Sequence, residues 1–278
     1  MIRTLQRSLS VVLISLVALL AGGSAYAAET TQAPPNSMSG LGDSITRAFN
    51  ACGWYFDCTS RSWSTGSYSG VNSHYRRILA KNPAIYGRNY NDARSGARMT
   101  DLAGQAGTAV SRGVQYVTIE MGANDACTSS ESTMTPVATY RSQLDTALAR
   151  LKSGLPNAQV FIASVPDIKR LWYIGKDNND AVSTWNGFDI CQSMLANPRS
   201  TAQADVDRRN RVRQRVIAFN TQLAQACTNY GATCKFDGNA VFNYPFVLSQ
   251  VSTWDYFHPN ATGQKVLADV SYRAGFNW

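Results

Sequence analysis

Short strand-like runs alternate with amphipathic helical segments along most of this chain, and that alternation narrows the fold more than any other feature. Residues 37–41, 84–91 and 115–121 (Gln-Tyr-Val-Thr-Ile-Glu-Met in the last) read as strands, and 159–165 is another, stopped by Pro166. Between them, 71–81 fits a helix with Tyr75, Ile78 and Leu79 inward. Residues 99–112 fit a helix of small residues, and Tyr140, Leu144, Leu148 and Leu151 recur at helical spacing. A long basic helix is expected over 205–230. A last one follows Pro259, with Val266, Leu267 and Val270 on one face. Strands separated by helices favour parallel pairing, so the expectation is an α/β fold around a central, mostly parallel sheet. No repeat, heptad run or Pro-rich linker divides the chain, which points to one domain over 37–278.

The first residues read as an address. Arg3 and Arg7 precede an apolar run over 11–21 that is short for a membrane span, and Ala25-Tyr26-Ala27 has the small-x-small form of a cleavage site. Residues 1–27 are therefore expected to be a signal peptide, with 28–36 a flexible start to the mature chain. Roughly 250 residues remain, enough for one domain with a sizeable core. An exported chain can oxidise its cysteines, and an even number of them suggests disulfides. Cys52 with Cys58 and Cys227 with Cys234 could each close a small loop, leaving Cys127 with Cys191, though other pairings are open. There is no Cys-x-x-Cys and only two histidines, which argues against a zinc site. No metal or other cofactor is expected.

The formal charge is +8; a removed leader takes Arg3 and Arg7 and no acid with it, leaving +6. Such an excess favours anionic surfaces. The dense cluster, 208–215, is interleaved with Val212 and Val216, so it reads as a helix with a solvated basic face rather than a nucleic-acid site. Two long insertions look irregular and aromatic. One, 52–70, holds Trp54, Tyr55, Phe56, Trp63 and Tyr68; the other, 166–200, holds Trp172, Tyr173, Trp185 and Phe188. They suit either an apolar wall at a ligand site or packing over disulfide-pinned loops.

Three short segments could carry chemistry. Gly42-Asp43-Ser44-Ile45 follows a strand, where a Ser hydroxyl at a strand-to-helix turn is exposed beside helix N-terminal amides; Asp and Ser are equally ordinary helix caps. Gly122-Ala123-Asn124-Asp125 follows another strand, and Asn124 could aim its amide at a developing oxyanion or simply begin a turn. Asp255-Tyr256-Phe257-His258-Pro259 places a carboxylate one turn from an imidazole, which would fix the tautomer of a general base. The other histidine, His74, lies beside Arg76 and Arg77 with no acid nearby and reads as a surface helix residue.

In this order, Gly-Asp-Ser-Ile, Asn-Asp-Ala-Arg-Ser-Gly-Ala-Arg, Gly-Ala-Asn-Asp and Asp-Tyr-Phe-His-Pro resemble the blocks of the SGNH (GDSL-type) hydrolases. The likeness spans Gly42 to Pro259. Trp63-Ser64-Thr65-Gly66 and Cys127 resemble the phospholipase B-like branch less specifically. The resemblance implies a flavodoxin-like three-layer sandwich with about five strands. It further implies Ser44 as nucleophile, His258 as base and Asp255 as its orienter, with an oxyanion hole of the Ser44 and Gly96 backbone N–H groups and the Asn124 side chain. A Cβ at position 96 could block close approach of substrate. Ile45 stands where the family usually has Leu, which changes nothing chemical. The implied protein is a secreted, monomeric lipase, phospholipase or esterase acting on small-molecule or lipid esters, with transient contact to lipid surfaces and no nucleic-acid partner. A carbohydrate deacetylase on the same fold and a non-catalytic extracellular binding module remain as alternatives.

Overall fold

The computed structural model describes residues 32–278; the leader and residues 28–31 lie outside the described residues. Five strands, β1 (Met38–Gly42), β2 (Asn89–Asn91), β3 (Tyr116–Glu120), β4 (Gln159–Ile162) and β5 (Cys234–Phe236), form one parallel sheet in the order β2-β1-β3-β4-β5. This is the flavodoxin-like order. β1, β3 and β4 are buried along their whole length, on both faces, as parallel strands covered by helices on each side require.

Ten α-helices surround the sheet among the described residues: α1 (His74–Lys81), α2 (Leu102–Arg112), α3 (Ala123–Ala126), α4 (Val137–Gly154), α5 (Ile168–Gly175), α6 (Asn179–Gly187), α7 (Gln192–Leu195), α8 (Gln203–Tyr230), α9 (Ala240–Asn243) and α10 (Ala261–Arg273). None is long and apolar enough to cross a membrane. α2, α4 and α8 pack side by side, with Tyr140 stacked on Phe219 at 4.0 Å. α1 and α10 meet through His74 and Ser271.

His74 corrects the expectation of a surface residue. It is fully buried, with Nδ1 2.9 Å from the Tyr116 hydroxyl and Nε2 2.8 Å from Ser271 Oγ, and its ring meets those of Trp63, Phe161 and Tyr272. Its sequence neighbours Arg76 and Arg77 misled because α1 turns them outward while His74 and Ile78 face the sheet.

The basic stretch of α8 is only in part a solvated face: Arg211 is exposed, but its neighbours are engaged. Arg208 donates to the Gln192, Ser193 and Ala196 carbonyls, and Arg209 is buried, donating to Ser200 O with its guanidinium 4.5 Å from the Trp172 ring. Arg213 pairs with Asp167, and Arg215 donates to Thr135 O. Arg208, Arg209 and Arg213 clamp the 166–200 insertion, which is itself helical rather than irregular. Asp167 and Asn178 cap α5 and α6 by accepting from Lys169 N and Ala181 N. Trp63 and Trp185 are core residues, and only Tyr173 and Phe188 of the second insertion's aromatics are strongly exposed.

Of the strand expected over 84–91, only Asn89–Asn91 pairs. Pro83–Ile85 is a 3₁₀ turn, begun by Pro83 and capped by Asn82. Residues 34–36, expected to be flexible, are held by the Asn82 side chain, which donates to Pro34 O and Asn36 Oδ1. Disulfides join Cys52 to Cys58, Cys127 to Cys191 and Cys227 to Cys234. The second fastens the chain after α3 to the start of α7, and the third ties the end of α8 to β5.

Candidate active site

The three central loops of interest leave neighbouring strands at one edge of the sheet: Gly96 after β2, Ser44 after β1 and Asn124 after β3. The strand order therefore brings together groups 80 positions apart in the chain. Gly42 makes the turn into Ser44 feasible. Its φ is +147°, and a Cβ there would lie 2.2 Å from Glu120 O and 2.6 Å from Thr46 Oγ1. The Gln105 side chain, which sequence reasoning missed, both donates to Gly42 O and accepts from Gly42 N. No regular helix follows Ser44. Residues 44–51 are successive turns, broken by positive φ at Ala48 and Asn50, so the amides here belong to turns and not to a helix N-terminus.

Across from Ser44, the segment before α10 folds back on itself through a Val251–Pro259 bridge and a bond from Ser252 N to His258 O. Asp255 Oδ1 accepts from the backbone N–H groups of Phe257 and His258, at 2.9 and 3.0 Å, which sets the turn. Its other oxygen lies 2.5 Å from His258 Nδ1, and His258 Nε2 lies 2.7 Å from Ser44 Oγ. With Nδ1–H donated to the carboxylate, Nε2 is left to accept the Ser44 proton. Asn50 donates to Asp255 Oδ2 at 2.6 Å, a second support that the sequence did not reveal. Its tolerance of φ +64° is typical of Asn, but nothing in a linear reading links it to a residue 205 positions away.

Asn124 Nδ2 donates to Ala97 O at 2.9 Å, which uses one of its two amide hydrogens. Its neighbour Asp125 is buried and accepts from Met99 N and Thr135 Oγ1, so it holds the Gly96 turn rather than facing the site. Gly96 has φ +79°, and a Cβ there would meet nothing within 4 Å. The backbone conformation, not crowding, is what asks for glycine there.

Beneath Ser44 lie two buried acids. Asp43 is pushed up to about 7, chiefly by burial; Oδ1 accepts from Ile45 N at 2.8 Å while Oδ2 has no partner among the described residues. Glu120 is buried with neither carboxyl oxygen partnered among the described residues, and burial, then Asp43 and Asp237, raise it well above the usual range. The native chain thus keeps a Glu120 proton that the unfolded chain releases near 4.5, so this site loses stabilising effect as pH rises above that value. Glu120→Gln is expected to fold normally and to flatten the fall in urea stability between pH 5 and 8. An unchanged pH dependence would show that Glu120 is ionised in the fold.

An apolar cavity of about 70 Å³ is lined by sequence neighbours of the site residues but by none of Ser44, Gly96, Asn124 or His258 themselves. Ile45, Ala123, Phe257 and Pro259, each next in sequence to Ser44, Asn124 or His258, line it together with Ile168, Leu171 and Ile174 of α5. Its polar side chains are engaged elsewhere: Asp167 with Arg213, and Arg170 with Phe246 O.

A parallel five-stranded sandwich with these loops at one edge defines an SGNH-type hydrolase fold, and the chain belongs to the GDSL-like lipase/acylhydrolase family, whose profile matches residues 40–270. Among solved structures it is similar to LAE5, an alpha/beta hydrolase enzyme from the metagenome of Lake Arreo, Spain, with 18% identity, a TM-score of 0.54, and coverage of 86% of this chain and 94% of that one. It is also similar to a structure from Parabacteroides merdae described as a GDSL-like lipase, at 17% identity, TM-score 0.53 and the same coverage. No curated protein sequence matches the chain.

Proposed function

We infer that this protein is an exported serine ester hydrolase that cleaves acyl esters through a covalent Ser44 intermediate. The observation that carries this reading is the continuous hydrogen-bonded path from Ser44 Oγ through His258 to Asp255. Ser44 attacks the ester carbonyl as His258 Nε2 takes its proton. The imidazolium, stabilised by Asp255, then protonates the departing alcohol. Water then attacks the acyl carbon as His258 takes its proton, and the acid departs as His258 returns a proton to Ser44 Oγ. The developing oxyanion is met by the Ser44 and Gly96 N–H groups, neither of which is bonded to a protein acceptor among the described residues, and by the remaining Asn124 N–H. Asn124→Ala is expected to lower kcat by about 10²- to 10³-fold, with KM little changed. A loss confined to KM would place Asn124 in ground-state binding instead.

The apolar cavity walled by Ile45, Ala123 and Phe257, the sequence neighbours of Ser44, Asn124 and His258, supports a lipid-type acyl ester as substrate over an acetylated sugar, because every methylene buried in such a lining contributes about 0.8 kcal/mol. Hydrolysis rates across p-nitrophenyl esters of increasing chain length test this. Rates rising beyond acetate support the acyl-chain reading, and a sharp acetate preference would favour a carbohydrate deacetylase. Export agrees with the three disulfides and with the leader read over 1–27.

A further inference from the structure

The loop between Cys52 and Cys58 has no role in the chemistry above, yet it displays three consecutive aromatic side chains to solvent. Trp54, Tyr55 and Phe56 are 60%, 48% and 46% exposed. Aromatic residues normally bury this much apolar surface, and an exposed run of them marks a contact surface. We propose that this loop docks the enzyme on an anionic phospholipid surface, seating its aromatic tip at the lipid–water boundary beside the site.

The loop is a fixed knuckle rather than a loose strand. The disulfide closes its base, and Phe56 N donates to Trp54 O while Phe56 O accepts from Asn50 N. It is also fastened to both flanks of the site. Asp57 accepts from Arg47 and from the hydroxyl of Ser95, the residue before Gly96. On the other side, the Tyr55 hydroxyl donates to Trp254 O, one residue before Asp255. A surface that receives this tip is therefore held next to Ser44.

Trp54 and Tyr55 both meet Trp254 edge-on, at 64° and 76°, which ties the aromatic tip to the segment that carries Asp255. Trp, Tyr and Phe are the residues that settle at the lipid headgroup level. Charge agrees with an anionic headgroup. Without its leader the chain carries +6, and Arg61, bonded to Ala51 O at the loop's base, and the exposed Arg98 beyond Gly96 place cations on both flanks.

The proposal takes its purpose from the acyl-ester reading, but its measurement does not depend on that chemistry. The exported chain carrying Ser44→Ala is sedimented with vesicles of ether-linked phosphatidylglycerol and phosphatidylcholine, which no esterase can cleave. Partition onto them is expected, weakening as salt is raised. Trp54→Ala/Phe56→Ala in the same background is expected to lower partition about tenfold or more, while the double variant with Ser44 intact hydrolyses soluble p-nitrophenyl acetate within about twofold of the parent. Absence of partition, equal partition by the double variant, or loss of binding to insoluble xylan in place of vesicles would each overturn the docking role. Turnover of soluble ester by Ser44→Ala would overturn the catalytic reading and leave the vesicle result standing.

Discussion

Ser44→Ala is expected to lower kcat/KM for soluble p-nitrophenyl esters by about 10⁴- to 10⁶-fold while leaving the thermal midpoint within a few degrees of the parent. The effect is large because the hydroxyl is the attacking atom, and small on stability because its one side-chain bond is to His258. Residual activity should come from the oxyanion donors acting on water. A relay also behaves as a unit: Ser44→Ala/His258→Ala should cost little more than either change alone. Additive losses would mean that the two residues act independently. Undiminished turnover in Ser44→Ala would remove the serine mechanism altogether.

The second large effect is on stability in acid. Burial, with help from the Arg77 charge, lowers His74 from 6.5 to about 3. Ser271 Oγ donates to Leu267 O, so it accepts from His74 Nε2, and Nδ1 accepts from Tyr116. A second proton on this ring would meet a hydroxyl already turned to donate, inside an aromatic nest. Below pH 6.5 the unfolded chain binds a proton that the native chain refuses, so stability falls as pH drops towards 3, by up to about 5 kcal/mol. Asp43 and Glu120 act in the opposite sense, since their native forms hold protons that the unfolded chain gives up. Comparison with His74→Gln isolates the histidine. Between pH 6.5 and 3 the parent's unfolding free energy should fall more steeply by about 1.4 kcal/mol per pH unit, one proton's worth. Parallel curves would show that His74 titrates freely in the fold.

Much of the architecture was legible because periodicity reports burial. Residues 115–121 and the Tyr140, Leu144, Leu148, Leu151 series lie on β3 and α4 with little adjustment. β5 was not anticipated as a strand, since Cys234–Phe236 is three half-buried residues whose pairing with β4 comes from the neighbouring sheet. The helices of 166–200 were hidden by aromatic and polar residues that look loop-like until Arg208, Arg209 and Arg213 are seen holding them.

What the sequence by itself supported was the alternation of strands and helices along most of the chain and, from it, a parallel sheet. The short list Ser44, Gly96, Asn124, Asp255 and His258 came from the ordered motifs and their resemblance to the SGNH hydrolases, not from spacing alone. What only the tertiary structure decided was distance. It brought Ser44 within 2.7 Å of a histidine 214 positions away, set Asn50 against Asp255, and buried His74 under α10. It also turned part of a helix's basic stretch, Arg208 and Arg209, inward. Such contacts depend on how elements pack across one sheet, and packing is a property of pairs of surfaces that no single stretch of sequence displays.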